Sequence, residues 1–419
     1  MIDIEKAWDF STGGISPNGD TIVIAILDSG CDLDHEDIQD NLWKNKAEIP
    51  NDGIDNDGNG YTDDYLGINL RRGDDNHNAD SHGTPVTGII GAKGNNTEGV
   101  SGINWNIKLM IISNVTTVAE IIEGYEYVLD QRIKYNQSNG AEGAYVVATN
   151  FSAGVDNRFP EEFPTWCNVF NTLGKAGILN VCSVTNSNRD VELAGDLPTL
   201  CPSPYLISVT NTDRFDRKVS DAGFGNVSVD LGAPGEGALS TYPNDRYFTF
   251  EGTSSAAPHV SGVIGLLFSI NACDKYSSLM RDNPATATSL VKQLILDGTD
   301  SITDLEGRSV SGGRLNAFNS ANLINDFCIG GSSEASIKSI FPNPTNDFLN
   351  IEYTSPSAEN FKFEIYNSLS QLISEQVTVP SFFSGSTIIL NTQNLSPGTY
   401  LLKLTDGEEE LYEKFVVAR

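Results

Sequence analysis

Basic residues are scarce in this chain of 419 residues: 26 Lys and Arg stand against 56 Asp and Glu, a formal charge of −30 at neutral pH. A surface so acidic repels phosphate backbones and anionic headgroups, which are bound by counterion release from basic patches. Nucleic acid is therefore excluded as a partner, and cations are favoured. Long apolar runs are also lacking. No stretch reaches the roughly 18 consecutive apolar residues of a membrane helix, so no transmembrane segment is expected. The opening Met1-Ile2-Asp3-Ile4-Glu5 has neither the basic nor the apolar region of a signal peptide, which leaves a cytosolic protein or one whose leader is missing. The six cysteines, Cys31, Cys167, Cys182, Cys201, Cys273 and Cys328, form no CxxC or other metal spacing. Their even number permits up to three disulfides and favours an oxidising compartment. The pairing stays open, with Cys167–Cys201 and Cys273–Cys328 as guesses. No internal repeat or low-complexity tract is visible.

What the chain does have is 39% hydrophobic residues, 39 glycines and 17 prolines, the composition of a globular protein rich in loops. Its length exceeds one ordinary core and points to two or more domains. Up to about residue 328, short β-branched runs alternate with longer amphipathic ones, the signature of an α/β doubly wound, mostly parallel sheet flanked by helices. Strands are predicted over 21–27, 108–112, 144–148, 178–182 and 205–209, and helices near 117–136, 164–176 and 258–270. Such sheets hold their ligands at the carboxyl ends of the strands. Gly330-Gly331-Ser332-Ser333 reads as a flexible linker. Beyond it, alternating strands over 361–366, 386–390, 399–404 and 413–417, separated by turn residues, predict a small antiparallel all-β sandwich. The expected domains are 1–328 and 336–419, with a linker at 329–335.

Three segments carry candidate chemistry. Asp28 closes the run 21–27 and precedes Ser29-Gly30, placing a carboxylate where a strand ends; taken alone, it is as readily an ordinary turn aspartate. His82 precedes Gly83-Thr84-Pro85-Val86, with Pro85 in the first helical turn, where a missing N–H costs nothing. His35, His77 and His259 compete with it, and any single histidine is as apt to be a surface or core residue. Gly252-Thr253-Ser254-Ser255-Ala256-Ala257-Pro258-His259 is the most specific of the three. Its small residues let a helix N-terminus approach a ligand, with Ser254 presented where its own N–H and the helix dipole stabilise an oxyanion. The bland alternative is a capped, tightly packed helix with Ser254 as N-cap.

In the order Asp, His, Ser, these segments resemble the subtilase (subtilisin-like) serine peptidase family: Asp28-Ser29-Gly30, His82-Gly83-Thr84, and Gly252-Thr253-Ser254 with Ala257-Pro258-His259-Val260. The resemblance covers about residues 1–325 and includes Ala233-Pro234-Gly235-Glu236 and Gly312-Gly313-Arg314-Leu315-Asn316-Ala317. It implies a subtilisin-like fold and peptide hydrolysis through an acyl-enzyme. Ser254 would be the nucleophile, His82 the general base and then acid, and Asp28 the group that orients the imidazolium. The chemistry of the residue types agrees, since a serine hydroxyl is a weak nucleophile until a base takes its proton. The resemblance further implies an asparagine oxyanion donor. Asn186 matches it, with Asn188 as the alternative, because Ser183-Val184-Thr185-Asn186 stands where the family usually has Ala-Ala-Gly-Asn. Asn150-Phe151-Ser152-Ala153-Gly154 looks like the family's substrate-binding strand, which pairs with the backbone of an extended peptide. Ser152, Ala153, Gly154 and Thr185 are thus expected against the substrate. Thr185, and Pro85 where most subtilases carry another histidine, motivate a rival reading: a catalytically silent subtilase fold acting as a surface-binding protein. The family's signal peptide and propeptide are absent, so the chain is expected to begin near the mature N-terminus; a monomer is expected.

Calcium is the implied cofactor. Asp55-Asn56-Asp57-Gly58-Asn59-Gly60-Tyr61-Thr62-Asp63-Asp64 places oxygen donors at alternate positions with glycine at the sixth, like the first positions of an EF-hand loop. Asp55, Asp57 and Asn59 would ligate by side chain and Tyr61 by its carbonyl, with Asp63 or Asp64 completing the shell. Leu66 stands where the EF-hand needs Glu, so this is not an EF-hand, and a solvated Asn/Asp/Gly turn is the plain alternative. A second site, resembling the family's strong calcium site, would use Asp37 with the loop 93–100, through Asn95 or Asn96.

The C-terminal region has its own resemblance. Ile340-Phe341-Pro342-Asn343-Pro344, Phe363-Glu364-Ile365-Tyr366, Leu395-Ser396-Pro397-Gly398-Thr399-Tyr400 and Lys414-Phe415-Val416-Val417 look like the type IX secretion C-terminal sorting domain of Bacteroidetes. That implies the type IX machinery as a partner and a secreted or cell-surface location. A carbohydrate- or protein-binding sandwich is the alternative, since the fold class also serves adhesion.

Overall fold

The computed structural model describes residues 1–329, 336–346, 348–354, 361–367, 369–378, 386–406 and 409–418. It comprises two compact units, Met1–Asn322 and Leu323–Arg419. The linker expected at 329–335 falls, apart from Ile329, outside the described residues.

In the first unit the apolar runs assemble into a nine-stranded sheet. Its spatial order is Asp300–Ser301, Gly313–Arg314, Leu231–Pro234, Leu206–Thr212, Leu179–Ser183, Tyr145–Phe151, Ile22–Leu27, Lys108–Ser113 and Gly67–Asn69. All neighbours are parallel except the first pair. Every residue of Ile22–Leu27 is buried, as the interior strand of a sheet covered on both faces requires. Alternate residues reach opposite layers. Leu27 approaches Gly124 of helix Val118–Ser138, while Ile24 approaches Gly265 of helix Thr253–Phe268.

The helices begin and end where side-chain chemistry allows. Thr117 and Glu120 form a reciprocal capping box at the start of Val118–Ser138. Helix Pro164–Ala176 starts on proline and stops at Gly177, whose φ of 101° is left-handed. Tyr125, Trp166 and Phe170 from these two helices pack into the core with Phe151. Cys167 is bonded to Cys201; Cys273 and Cys328 are likewise disulfide-bonded, while Cys31 and Cys182 are buried free thiols.

The topology has one consequence for function. From Ile22–Leu27 the chain places its next long strand, Lys108–Ser113, on one side and then returns to place Tyr145–Phe151 on the other. The strand order therefore reverses beside Ile22–Leu27, and a crevice opens at the carboxyl ends there. Asp28 and Ser152 are the first residues beyond those two strands.

After the last turns of helix Ala317–Ile329, the second unit forms two antiparallel sheets. One sheet joins Ser336–Phe341, Phe348–Thr354 and Ser386–Asn391; the other joins Leu372–Thr378, Phe361–Asn367, Gly398–Asp406 and Glu409–Val417. Leu349, Ile351 and Tyr353 from the first sheet meet Phe363, Ile365, Leu402, Leu404, Phe415 and Val417 from the second in a common core. Their spacing of two is that of strands with one buried face, and the result is the expected sandwich.

Candidate active site

Asp28 is 8% exposed and closes its strand, with its N–H bound to the Ile112 carbonyl at 3.0 Å. Its Oδ1 accepts from the Ser29 N–H at 2.7 Å and lies 2.8 Å from His82 Nδ1; Oδ2 is 3.1 Å from the same nitrogen. His82 precedes helix Gly83–Gly91, and Asp80 fixes that entry by accepting the His82 N–H at 2.7 Å. Glycine at position 83 is obligatory: a Cβ there would stand 1.9 Å from the Gly30 carbonyl oxygen and 3.1 Å from Asp28 Cβ. The two motifs Asp-Ser-Gly and His-Gly-Thr thus interlock by close backbone approach. Burial pushes the His82 pKa down, but the hydrogen bond and charge of Asp28, with Asp80, push it up and prevail, leaving it above the ordinary 6.5. One edge of the imidazole meets the Phe250 ring, at 5.4 Å between centroids.

Ser254 sits in the first turn of helix Thr253–Phe268 and is 8% exposed. Gly252, the residue before the helix, has φ 96°, a left-handed conformation open to glycine, and an added Cβ would lie 3.1 Å from Asn186 Oδ1. This helix starts five residues earlier than the run predicted from 258, because Pro258 stands inside it. A proline there withholds the N–H that the Ser254 carbonyl would accept. Ser152 compensates: its hydroxyl donates to the Ser254 carbonyl at 3.0 Å, while the Ser254 hydroxyl donates to the Ser152 carbonyl at 3.0 Å. Ser152 is itself held by Asn150 Nδ2 at 2.9 Å, and Asn150 Oδ1 by the Ser261 hydroxyl at 3.0 Å. The Ser254 proton is thus parked on a backbone carbonyl in this resting state; catalytic hydrogen bonds commonly form only in the substrate complex.

Asn186 and Asn188 separate cleanly. Asn186 Oδ1 accepts from the Thr253 N–H and hydroxyl, both at 3.0 Å, which fixes the amide beside Ser254. Asn188 Oδ1 instead takes Lys218 Nζ at 3.4 Å. Thr185, the branched residue where the resemblance would place glycine, fits because Gly223 faces it: a Cβ on Gly223 would be 2.8 Å from Thr185 Cγ2. Ser152, Ala153, Gly154, Thr185, Asn186 and Ser254 line one pocket of about 200 Å³, with Asp156, Ser183, Val184 and Asp196 as its remaining walls. The sequence reading did not single out Asp156 or Asp196, which lie in no chemical motif.

Residues 19–313 match the subtilase family. The chain belongs to the subtilase family. Among its relatives is the major intracellular serine protease of Bacillus subtilis (strain 168), 29% identical over 272 residues that cover 64% of this subtilase and 73% of that protein. Thermitase of Thermoactinomyces vulgaris is 28% identical over 275 residues, covering 64% and 80%. Subtilisin-like protease 1 of Plasmodium falciparum is 29% identical over 287 residues, which are 62% of this chain but 39% of that protein, so the match spans well under half the relative's length. A protease from Pseudoalteromonas arctica PAMC 21717 shares the fold with a TM-score of 0.55 at 24% identity, over 77% of this chain and 94% of its own. The prenylagaramide maturation protease does so with a TM-score of 0.55 at 20% identity, over 77% and 98%. Residues 339–418 match the secretion system C-terminal sorting domain, which directs a chain to the cell surface or the extracellular space. Among the described residues no helix is long and apolar enough to cross a membrane.

The acidic loop of this subtilase is arranged differently from its sequence pattern. Asp55 and Asp57 do come together, and Glu48 joins them, with one ligand oxygen from each lying within 4.8 Å of the others. Glu48 lies outside the repeating pattern and was missed; only its burial, at 4% exposure, marks it. Its Oε1 accepts from the Asn56 and Asp57 N–H groups, while Oε2 is buried without a partner. Asp64 is fully buried nearby, bonded by Tyr127 Oη at 2.6 Å, Asn59 Nδ2 at 2.9 Å and Asn45 Nδ2 at 3.3 Å. Asn59 Oδ1 accepts from the Tyr61 N–H, and the Tyr61 phenol donates to Glu123 at 3.0 Å. Asp63 does not join the cluster: its oxygens accept from the Asp52 and Gly53 N–H groups, closing a separate turn. At the second expected site Asn96, not Asn95, reaches Asp37, donating to Oδ1 at 2.6 Å; Asn95 is exposed with φ 59°. Asp37 Oδ2 is taken by the Val100 N–H at 2.8 Å.

Proposed function

We propose that this chain is a secreted serine endopeptidase that hydrolyses peptide bonds through an acyl-enzyme. The observation that carries the reading is the Asp28–His82 hydrogen bond at the same carboxyl end of the sheet where Ser152 holds Ser254 and Thr253 clamps the Asn186 amide. In the proposed cycle an extended polypeptide pairs with the backbone of 152–154, bringing a scissile carbonyl to Ser254. The Ser254 hydroxyl leaves the Ser152 carbonyl and gives its proton to His82 Nε2 as Oγ attacks. His82, with Nδ1–H held by Asp28, then delivers the proton to the leaving amine. Charge developing on the carbonyl oxygen is met by the Ser254 N–H and by Asn186, whose amide nitrogen is free because its oxygen is engaged by Thr253. Water repeats the sequence on the ester. The silent-fold reading rested on Thr185 and Pro85, and neither disturbs these groups: Thr185 is accommodated by Gly223, and Pro85 lies in the first turn of its helix.

Calcium is proposed at Glu48, Asp55 and Asp57, with Asp64 behind them. A buried carboxylate oxygen without a partner, facing two further carboxylates, is the donor set of a hard cation and is costly without one. A bound ion would supply folding stability there. At the second site Asp37 is proposed as a ligand with the loop 93–100: each of its oxygens takes one donor of that loop, as the oxygens of Asp55 and Asp57 take donors of theirs, and keeps a lone pair for an ion. Export is proposed to use the type IX machinery through the C-terminal sandwich, and the enzyme is proposed to act as a monomer.

The test is labelling by a fluorophosphonate probe, located by peptide mass spectrometry. Stoichiometric label on Ser254, absent from Ser254→Ala, is expected; no label on folded protein would return the silent fold.

A further inference from the structure

The pocket beside Ser254 carries more than the hydrolytic reading uses. Two of its walls are acidic, and they face each other by construction: Val155–Asp156 and Asp196–Leu197 form a short antiparallel ladder in which Asp156 is paired with Asp196. Directly opposed residues of such a ladder project to the same side. Asp196 is 1% exposed, yet its carboxylate is only half satisfied by the chain. Oδ2 accepts from the Thr185 N–H at 3.1 Å and the Thr199 hydroxyl at 2.8 Å. Oδ1 is turned toward Gly154, where it would lie 3.7 Å from a Cβ on that residue, another wall of the pocket. A buried carboxylate oxygen facing a cavity, with a second acid paired to it, invites a cation.

The position of the pocket says which cation. With a scissile carbonyl carbon at Ser254 Oγ and its oxygen toward Asn186, the side chain of the residue contributing that carbonyl enters the cavity that Ser254 and Asn186 share with 152–154. That residue is P1, on the acyl side of the cleaved bond. Resting on the peptidase reading above, we propose that Asp196, supported by Asp156, makes this enzyme select substrates with Arg or Lys at P1.

A pH signature follows. Burial, reinforced by the charge of Asp156, pushes the Asp196 pKa up to about 7, against hydrogen bonds from Thr199 and Thr185 and the charge of Arg189, which lower it. The Cys182 thiol also faces Asp196 and is itself pushed up to about 12 by burial, so it stays neutral. Selectivity for a cation therefore strengthens as pH rises through about 7. The His82 protonation, which Asp28 favours, affects every substrate alike, so the ratio of kcat/KM between P1-Arg and P1-Phe peptides isolates Asp196.

The experiment is a set of fluorogenic peptides differing only at P1 (Arg, Lys, Leu, Phe, Glu), assayed with the full chain from pH 5.5 to 9. Arg and Lys are expected to exceed Leu and Phe by at least about 10-fold at pH 8, the scale of one charge-assisted hydrogen bond. The Arg/Phe ratio should rise through about pH 7. Asp196→Asn should lower that ratio about 10- to 100-fold and flatten its pH dependence; Asp156→Asn, at the pocket rim, should lower it by less. Benzamidine binding to Ser254→Ala protein, followed by calorimetry, reads the pocket without turnover and should be lost in Ser254→Ala/Asp196→Asn. Preference for Leu or Phe with a pH-independent ratio overturns the inference while leaving the peptidase reading intact. Absence of hydrolysis on every peptide overturns the peptidase reading, and benzamidine then decides the pocket alone: binding that needs Asp196 upholds an acidic cation site, and no binding removes it.

Discussion

At the crevice, Asp28 meets the Ser29 N–H and the His82 ring, and the Asn186 oxygen is locked by Thr253; these acceptors are answered by donors of the chain. Some way along the same unit, Glu48, Asp55 and Asp57 bring carboxylates to within 4.8 Å of one another, and Glu48 Oε2 has no donor at all. Both places are rich in acid, yet one is complete as protein and the other is not. The difference teaches how to separate an acid that works on a neighbour from acids gathered for something external. In the first case the carboxylate perturbs its partner, and the His82 pKa rises. In the second the carboxylates perturb one another: burial foremost, then the charges of Asp64 and Asp57, push Glu48 upward.

That contrast can be broken or sharpened by substitution. The largest effect belongs to Asp28→Asn, which keeps the shape but removes the charge and the tautomer control; kcat should fall by about ten-thousand-fold. The acid limb of kcat/KM, expected above pH 6.5 in the native enzyme because Asp28 favours the imidazolium, should move down past that value in whatever activity remains, since burial is then opposed by Asp80 alone. Asn186→Ala should cost about 100- to 1000-fold in kcat with little change in KM, since its amide acts on the transition state. Asn188→Ala should be near neutral, and an equal loss there would reverse their assignment. In the loop the readout is stability. Chelation should remove about 2.7 kcal/mol when free calcium had stood at about 100 times Kd, a fall of roughly 5 °C in Tm by scanning calorimetry. Glu48→Gln should abolish that response while Asp63→Asn, in its separate turn, should retain it. The smallest effect is Ser152→Ala, which strips the Ser254 carbonyl of the hydroxyl that compensates for Pro258 and should cost about 1–2 kcal/mol in denaturant unfolding.

Legibility followed the kind of physical constraint. The long interior strands were readable because a strand buried on both faces must be apolar throughout, as Ile22–Leu27 is. The C-terminal sandwich was readable because its core residues alternate. Short elements were not: Gly67–Asn69, Val155–Asp156 and Asp196–Leu197 carry too few residues to show a period. The apolar run near 258–270 marks only the later turns of helix Thr253–Phe268, whose N-terminus the small residues at 252–254 indicate; the partner that compensates its interior proline, Ser152, lies 102 residues away in sequence.

By itself the sequence determined the fold class, the two-part organisation and the three motifs around Asp28, His82 and Ser254, because close backbone approach and buried strands leave local marks in glycine and apolar runs. Only the tertiary structure decided which asparagine stands beside Ser254, that Glu48 joins the acidic loop while Asp63 leaves it, that of Asn95 and Asn96 it is Asn96 that reaches Asp37, and that Asp156 and Asp196 acidify the pocket. Those decisions rest on which buried polar atom finds which distant donor, and a pairing across tens of residues has no period that a linear chain can display.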